Sequence, residues 1–185
     1  MWEMLSRRPW SVFRYAKRTA ELHAGMHART IPTHIPSQRQ KLVNKVRRAD
    51  TLPVHLRSKA LVALETMPDG DRLCHGDFHP GNILMTPQGE HIIDWIDASR
   101  GNPMADLARS TILALGAAET SQIRNRWLKT AIRIFHATYI YHYFKLRPGG
   151  EDEYNRWLPI VAAARLSEKI SELEKWLIAQ AAKLS

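Results

Sequence analysis

Apolar positions along this chain recur mostly at helical spacing. Over residues 10–28, Val12, Tyr15, Leu22 and Met26 share one face and Phe13, Ala16 and Ala20 widen it, predicting a helix that Pro9 precedes. Residues 30–37, with Pro32 and Pro36, read as a loop. Helices follow over 38–49 and 54–67, the second with Leu56, Ala60, Leu64 and Met67 in register, and Pro68-Asp69-Gly70-Asp71 stops it. The period then changes. Two short apolar runs, Ile83-Leu84-Met85 and His91-Ile92-Ile93, flank Pro87-Gln88-Gly89-Glu90, which predicts a small β-hairpin from Ile83 to Asp94. Asn102 reads as an N-cap with Pro103 at the first helical position, opening a helix to about Gly116. A long helix over 121–145 is expected to turn Ile123, Trp127, Ile134 and Tyr141 inward, and Pro148-Gly149-Gly150 breaks it. Glu151, Asp152 and Glu153 suit the positive N-terminus of the next helix, which Pro159 should kink or restart. Leu166, Ile170, Leu173 and Leu177 form the last buried stripe, flanked by Trp176. The fold class is therefore α+β, mostly α: six or so helices in one domain spanning 1–185, one small hairpin, and no sheet in the first seventy residues.

One stretch resists a packing explanation. Leu73-Cys74-His75-Gly76-Asp77-Phe78-His79-Pro80-Gly81-Asn82 places ionisable side chains and two glycines between apolar runs, and Asp94 interrupts the return strand. Charged residues are almost never fully buried without a partner. Asp77 and Asn82 sit five residues apart across a Pro-Gly turn, and the hairpin carries Asp94 back beside Asn82. An Asn oxygen and an Asp carboxylate make a hard, oxygen-only pair suited to magnesium on substrate phosphates. That leaves Asp77 to accept a proton from a hydroxyl, the division of labour that phosphoryl transfer asks for.

Together with Ile93-Asp94-Trp95, Gly101-Asn102-Pro103-Met104-Ala105-Asp106-Leu107-Ala108 and Leu22-His23 upstream, this stretch resembles the aminoglycoside phosphotransferase family, small-molecule kinases with a protein-kinase-like fold. The resemblance implies Asp77 as catalytic base, Asn82 and Asp94 as holders of Mg2+, and Asp106 as a brace for the catalytic loop. It implies ATP or GTP as phosphoryl donor and a small-molecule hydroxyl as acceptor. Beside it, His75 reads as a packed side chain orienting the loop or as a catalytic group, and His79 as a group able to reach a phosphate. Neither a Gly-rich loop nor a Val-Ala-Ile-Lys-like strand stands before residue 70. Within the resemblance, the chain is thus expected to be the helical C-terminal lobe alone, without the N-terminal nucleotide-clamping lobe. Full activity would then need a separate N-lobe chain, and a homo-oligomer is the other partner considered.

Two other classes stay open. Alternating His75, Asp77 and His79 could serve a metal-dependent hydrolase, although no His-Glu-x-x-His pair accompanies them. A non-catalytic basic binding module is the third reading, since Lys and Arg number 27 against 18 Asp and Glu, for a formal charge of +9. Seven of those cations lie between Pro36 and Ala60, but Lys41, Lys45 and Arg48 lack aromatic stacking partners and read as a solvated helix face, which disfavours nucleic acid. Asp97 reads as a turn cap and Arg100 as solvent-facing. A single cysteine, Cys74, excludes a disulfide framework and reads as a buried thiol in a reducing, cytoplasmic compartment. No apolar run approaches a membrane span. The basic balance further predicts a neutral or anionic acceptor, met by His136, Tyr139, Tyr141, His142 and Tyr143 on the long helix.

Overall fold

The computed structural model describes residues 11–121 and 123–184, so the expectations for Pro9 and Trp10 lie outside the described residues. Among them run seven α-helices and four short strands: α1 (Val12–His27), α2 (Gln38–Arg48), α3 (Val54–Thr66), β1 (Arg72–Cys74), β2 (Ile83–Thr86), β3 (Gly89–Ile92), β4 (Ser99–Gly101), α4 (Pro103–Glu119), α5 (Arg126–Leu146), α6 (Glu151–Arg165) and α7 (Glu174–Ala181). The result is a mostly helical domain.

The strands make two separate antiparallel pairs. The expected hairpin is β2–β3, with Ile83 opposite Ile92 and Thr86 opposite Gly89. A second pair joins β1 to β4, Cys74 opposite Ser99, across the whole intervening loop. Three-residue strands carry too little periodicity to be read locally. This pair forms because its partners close the base of the loop that holds Asp77 and Asp94.

Helix α4 starts as its sequence demands: the Asn102 side chain accepts from the Met104 N–H at 2.8 Å, with Pro103 next. Helix α5 begins at Arg126 rather than 121, because Asn125 caps it, accepting from the N–H groups of Trp127 and Leu128. Its buried face is not the expected one. Ile132, Phe135, Tyr139 and Tyr143 point inward, while Trp127 is 84% and Tyr141 62% exposed, and Ile134 is also exposed. Likewise Phe13 on α1 faces solvent, and His23 and His27 take buried positions beside Ala20 and Ala24.

Pro159 does not restart α6; the helix runs through it from Glu151 to Arg165. Residue 155, whose carbonyl loses its partner to the proline, is exposed, so water can serve that oxygen. Instead the chain breaks after α6: Lys169 adopts φ 55° between two short 3₁₀ turns before α7. Leu166, Leu173 and Leu177 are buried as the stripe requires, and Ile170, next to the break, is 36% exposed. Lys41 and Lys45 are half-buried tethers rather than a solvated face: Lys41 donates to the Ala98 carbonyl at 3.0 Å, and Lys45 lies 3.9 Å from Asp97 and 3.8 Å from Glu168. Arg100 donates to the Gly70 carbonyl at 3.2 Å.

The core is built by α1 against α5 and by α4 against α5 and α6, with α7 closing on α6. The Arg18 guanidinium grips Glu90 through two bonds of 2.9 Å and ties the hairpin to α1. Among the described residues, no helix is long and apolar enough to cross a membrane.

Candidate active site

Strand β1 ends at Cys74, a fully buried thiol whose pKa burial pushes up. The chain then turns through Gly76 at φ +81°, where a Cβ would stand 2.7 Å from the Asp97 carbonyl, so only glycine fits. Asp106, one turn into α4 and fully buried, holds this turn from below. Its Oδ2 accepts the His75 N–H at 2.8 Å and its Oδ1 accepts the Gly76 N–H at 2.8 Å. The same Oδ2 meets Nε2 of His23 and Nε2 of His27, each at 3.1 Å.

Behind the histidines stand two tyrosines: Nδ1 of His23 bonds the Tyr139 hydroxyl, and Nδ1 of His27 bonds the Tyr143 hydroxyl at 2.6 Å. Both pairs repeat at i, i+4 with the same offset, so α1 and α5 lie side by side and run in the same direction. Burial, reinforced by the neighbouring His27, drives the His23 pKa down to about 3, and burial lowers His27 as well. Burial alone would raise the Asp106 carboxyl, but hydrogen bonds from both imidazoles overcome it and hold the group well below the carboxylate range. The consistent state is an ionised Asp106 accepting from two neutral imidazoles, each of which accepts from a tyrosine.

His75 is fully buried and spans the loop. Its Nδ1 accepts the Asp77 N–H at 3.2 Å, and its Nε2 meets the Ile93 carbonyl at 3.0 Å. Both ring nitrogens are therefore engaged with backbone, which fits the loop-orienting reading. His79 caps the tight turn Pro80–Asn82, its Nδ1 accepting the Gly81 N–H at 3.0 Å. That turns Nε2 toward Asp77 Oδ2, 3.5 Å away.

Asp77 sits at the centre. The Asn82 amide nitrogen donates to its carbonyl at 2.9 Å and to Oδ2 at 3.3 Å, and Arg109 reaches Oδ1 at 3.4 Å. Contact with His79 first, then the charge of Arg109, takes its pKa down to about 2 against the opposing effect of burial. The Ile93 N–H donates to the Asn82 carbonyl at 3.0 Å, so Asp94 follows directly beside Asn82. Asp94 adopts a left-handed conformation, φ 63°, and is exposed. Its carboxylate has no hydrogen bond or ion pair among the described residues. Asp97 is no cap; it closes a 3₁₀ turn near Lys45.

The sequence-derived residues thus fall into one region: Asp77, Asn82 and His79 in a turn, Asp94 at its rim, His75 and Asp106 beneath. Sequence reasoning missed Arg109, which also donates to the Gly76 carbonyl at 3.0 Å and pairs with Glu168 at 2.8 Å. Its signal was position, three residues after Asp106 on the same helix face. His27 was missed too, although His23 and His27 repeat at i, i+4. Tyr139 and Tyr143 do not present acceptor-facing surface, since both are buried on the histidines, and His136 is taken by the Thr111 hydroxyl at 2.9 Å.

The arrangement offers the ionised Asp77 carboxylate in a fixed orientation, the Asn82 amide oxygen, and the exposed Asp94 carboxylate, which is unpaired among the described residues. A second set of donors is consistent with a metal site. Ligand atoms of His23, His27 and Asp106 lie within 4.8 Å of one another, and among the described residues this trio, rather than His75, Asp77 and His79, has that spacing.

The model of the phosphotransferase enzyme family, APH, matches residues 5–148. The chain belongs to that family. No curated protein matches it significantly.

Proposed function

We propose that residues 1–185 act as the helical, C-terminal lobe of a small-molecule kinase, moving the γ-phosphoryl group of ATP or GTP to a hydroxyl of a small acceptor. The observation that carries this reading is the Asp77 turn: a carboxylate clamped by Asn82, His79 and Arg109 in a chain of the phosphotransferase family. With a pKa near 2, Asp77 orients the hydroxyl and takes its proton late, as bond formation to phosphorus acidifies it. Asn82 spends its amide nitrogen on Asp77, which leaves its oxygen for a cation. The exposed Asp94 carboxylate beside it completes a hard donor pair that fits Mg2+. When bound, the ion neutralises and orients the donor's phosphates. His75 and Asp106 position the loop. Exposed apolar side chains on the hairpin and on the 3₁₀ turn after it, Leu84, Trp95 and Ile96, the last 90% exposed, give a nucleotide-clamping lobe a face to sit on.

The test is a transfer assay with Mg2+ and γ-labelled ATP or GTP, supplied with any in-frame upstream segment, reading a phosphate ester by phosphorus NMR. Ester formation that Asp77→Asn abolishes supports the proposal. Ester formation indifferent to Asp77→Asn defeats it.

A second, metal-dependent reading rests on His23, His27 and Asp106. Their Nε2–Oδ2 separations of 3.1 Å are near the ~3.3 Å edge of a tetrahedral zinc site with ligands at about 2.0–2.1 Å. Protons fill the same positions as donors to Asp106. Metal analysis of purified protein separates the two: stoichiometric zinc that is lost in His27→Ala favours the metal, and a metal-free protein with unchanged melting in chelator favours the hydrogen bonds.

A further inference from the structure

Beside the Asp77 turn opens a cleft of about 350 Å³, within the range of small-molecule sites. The turn itself, His79-Pro80-Gly81, lines it. One wall is a single face of α4, Leu113, Ala114 and Ala117, and the other is Ile132 and Phe135 of α5. Among the described residues one formal charge lines it, that of Arg165, and it is positive. This guanidinium is almost wholly buried and already held, donating to the Ile112 carbonyl at 2.6 Å and to Glu168 at 3.3 Å. No carboxylate lines the cleft among the described residues. On the same helix as the wall, Glu119 is turned to Arg133 at 2.8 Å.

We propose that this cleft selects an uncharged hydroxyl compound with an apolar part, such as an aryl or alkyl group joined to the portion that carries the reacting alcohol, and rejects polycations. The proposal rests on the phosphotransferase reading of the Asp77 turn. Two forces decide it. An apolar ring between Leu113, Ala117 and Phe135 removes hydrophobic surface from water on both faces. An ammonium group there would lose hydration, find no carboxylate and meet the Arg165 charge. The turn sets the orientation. His79 lines the cleft and its Nε2 lies 3.5 Å from the Asp77 carboxylate, so an alcohol carried at that end of the bound compound is brought toward Asp77. The small side chains of Ala114 and Ala117 leave the width for a ring, and a bulkier residue at either position would close it.

The experiment reads binding and transfer separately. Saturation-transfer NMR on the wild-type chain uses phenyl β-D-glucoside as the neutral probe and kanamycin as the polycation. Phenyl glucoside is expected to receive saturation on its aromatic protons, and kanamycin is not. The double variant Ala114→Leu/Ala117→Leu should lose the glucoside signal while keeping the wild-type circular dichroism. If that variant unfolds, Ala117→Asp at a half-buried position reads the same cleft, weakening the glucoside and admitting kanamycin. No glucoside binding, or binding that survives both changes, overturns the assignment. A transfer assay on the same variants, supplied with any in-frame upstream segment as above, divides the failures: phosphorylation of kanamycin in preference to the glucoside defeats the cleft chemistry and leaves the kinase reading standing. Glucoside binding in the cleft with no transfer to any alcohol defeats the kinase reading and leaves the cleft chemistry standing.

Discussion

Asp106 gathers four hydrogen bonds on two buried oxygens, from the backbone of His75 and Gly76 and from the rings of His23 and His27. Removing it strands four donors, three of them buried, each of those costing about 1–3 kcal/mol when unpaired. Asp106→Ala should therefore destabilise by about 4 kcal/mol or more, among the largest single-residue effects, measured as a fall in the denaturant midpoint at unchanged slope. Asp77 behaves oppositely, being half-exposed and held by groups that water could replace. Asp77→Asn is expected to leave melting and nucleotide affinity near wild type and to cut transfer about 10²–10⁴-fold. Equal loss of nucleotide affinity in Asp77→Asn and Asp94→Asn would show that their roles are misassigned. At this scale the placement was legible: chemistry-bearing residue types at tight spacing singled out Asp77, Asn82 and Asp94, which the fold gathers in one region, and a resemblance singled out Asp106, which lies beneath them. Arg109 was not legible, because nothing in an arginine on a helix says which backbone carbonyl it will reach. His27 was readable only together with Tyr139 and Tyr143, whose partnership exists across two helices.

Elements repeat the lesson with a physical cause. Capped helices were legible: Asn102-Pro103 declares the start of α4, and the acids at 151–153 declare α6. The face of α5 was not, because its sequence carries large apolar side chains on two faces. Trp127, Ile134 and Tyr141 make one stripe, and Ile132, Phe135, Tyr139 and Tyr143 make another. The winning stripe is the one whose hydroxyls complement the histidines of α1, a polar match that hydrophobic periodicity cannot see. The β1–β4 pair escaped for a related reason, since its pairing is set by the loop it closes. Asn102 gives a test at this scale. Besides capping α4, its amide donates to the Pro68 carbonyl at 3.2 Å and to Glu153 at 2.6 Å, joining the starts of α4 and α6. A cap alone is worth about 0.5–2 kcal/mol. Asn102→Asp keeps the cap and loses both donated bonds while facing Glu153. It should be clearly less stable than Asn102→Gly in thermal melts, reversing the order expected for an isolated cap.

For the whole molecule, the buried His–Asp–Tyr network predicts how stability depends on pH. His23 titrates near 3 in the folded chain against an ordinary 6.5, because burial penalises its charged form, and His27 and His136 shift the same way. Asp77 and Asp106 are both depressed from an ordinary 3.8. In every case the unfolded chain binds more protons than the folded one, so stability rises with pH across each window. Histidines act first: their contribution is complete above about pH 6.5 and drains as the pH falls toward 4, and the carboxylates add their loss below that. A melting series should therefore show a plateau at neutral pH and a steady decline beginning near 6.5. A protein whose acid sensitivity came from surface carboxylates alone would hold until about pH 4. Replacing His136 by Asn removes one of the early-titrating groups and should flatten the upper part of the decline, without touching the Asp106 network. A melting temperature unchanged from pH 7 to 5 in the wild type would mean that the imidazoles are charged in the folded chain, or hold something other than protons between themselves and Asp106. Chelator and the metal analysis would then distinguish those two states.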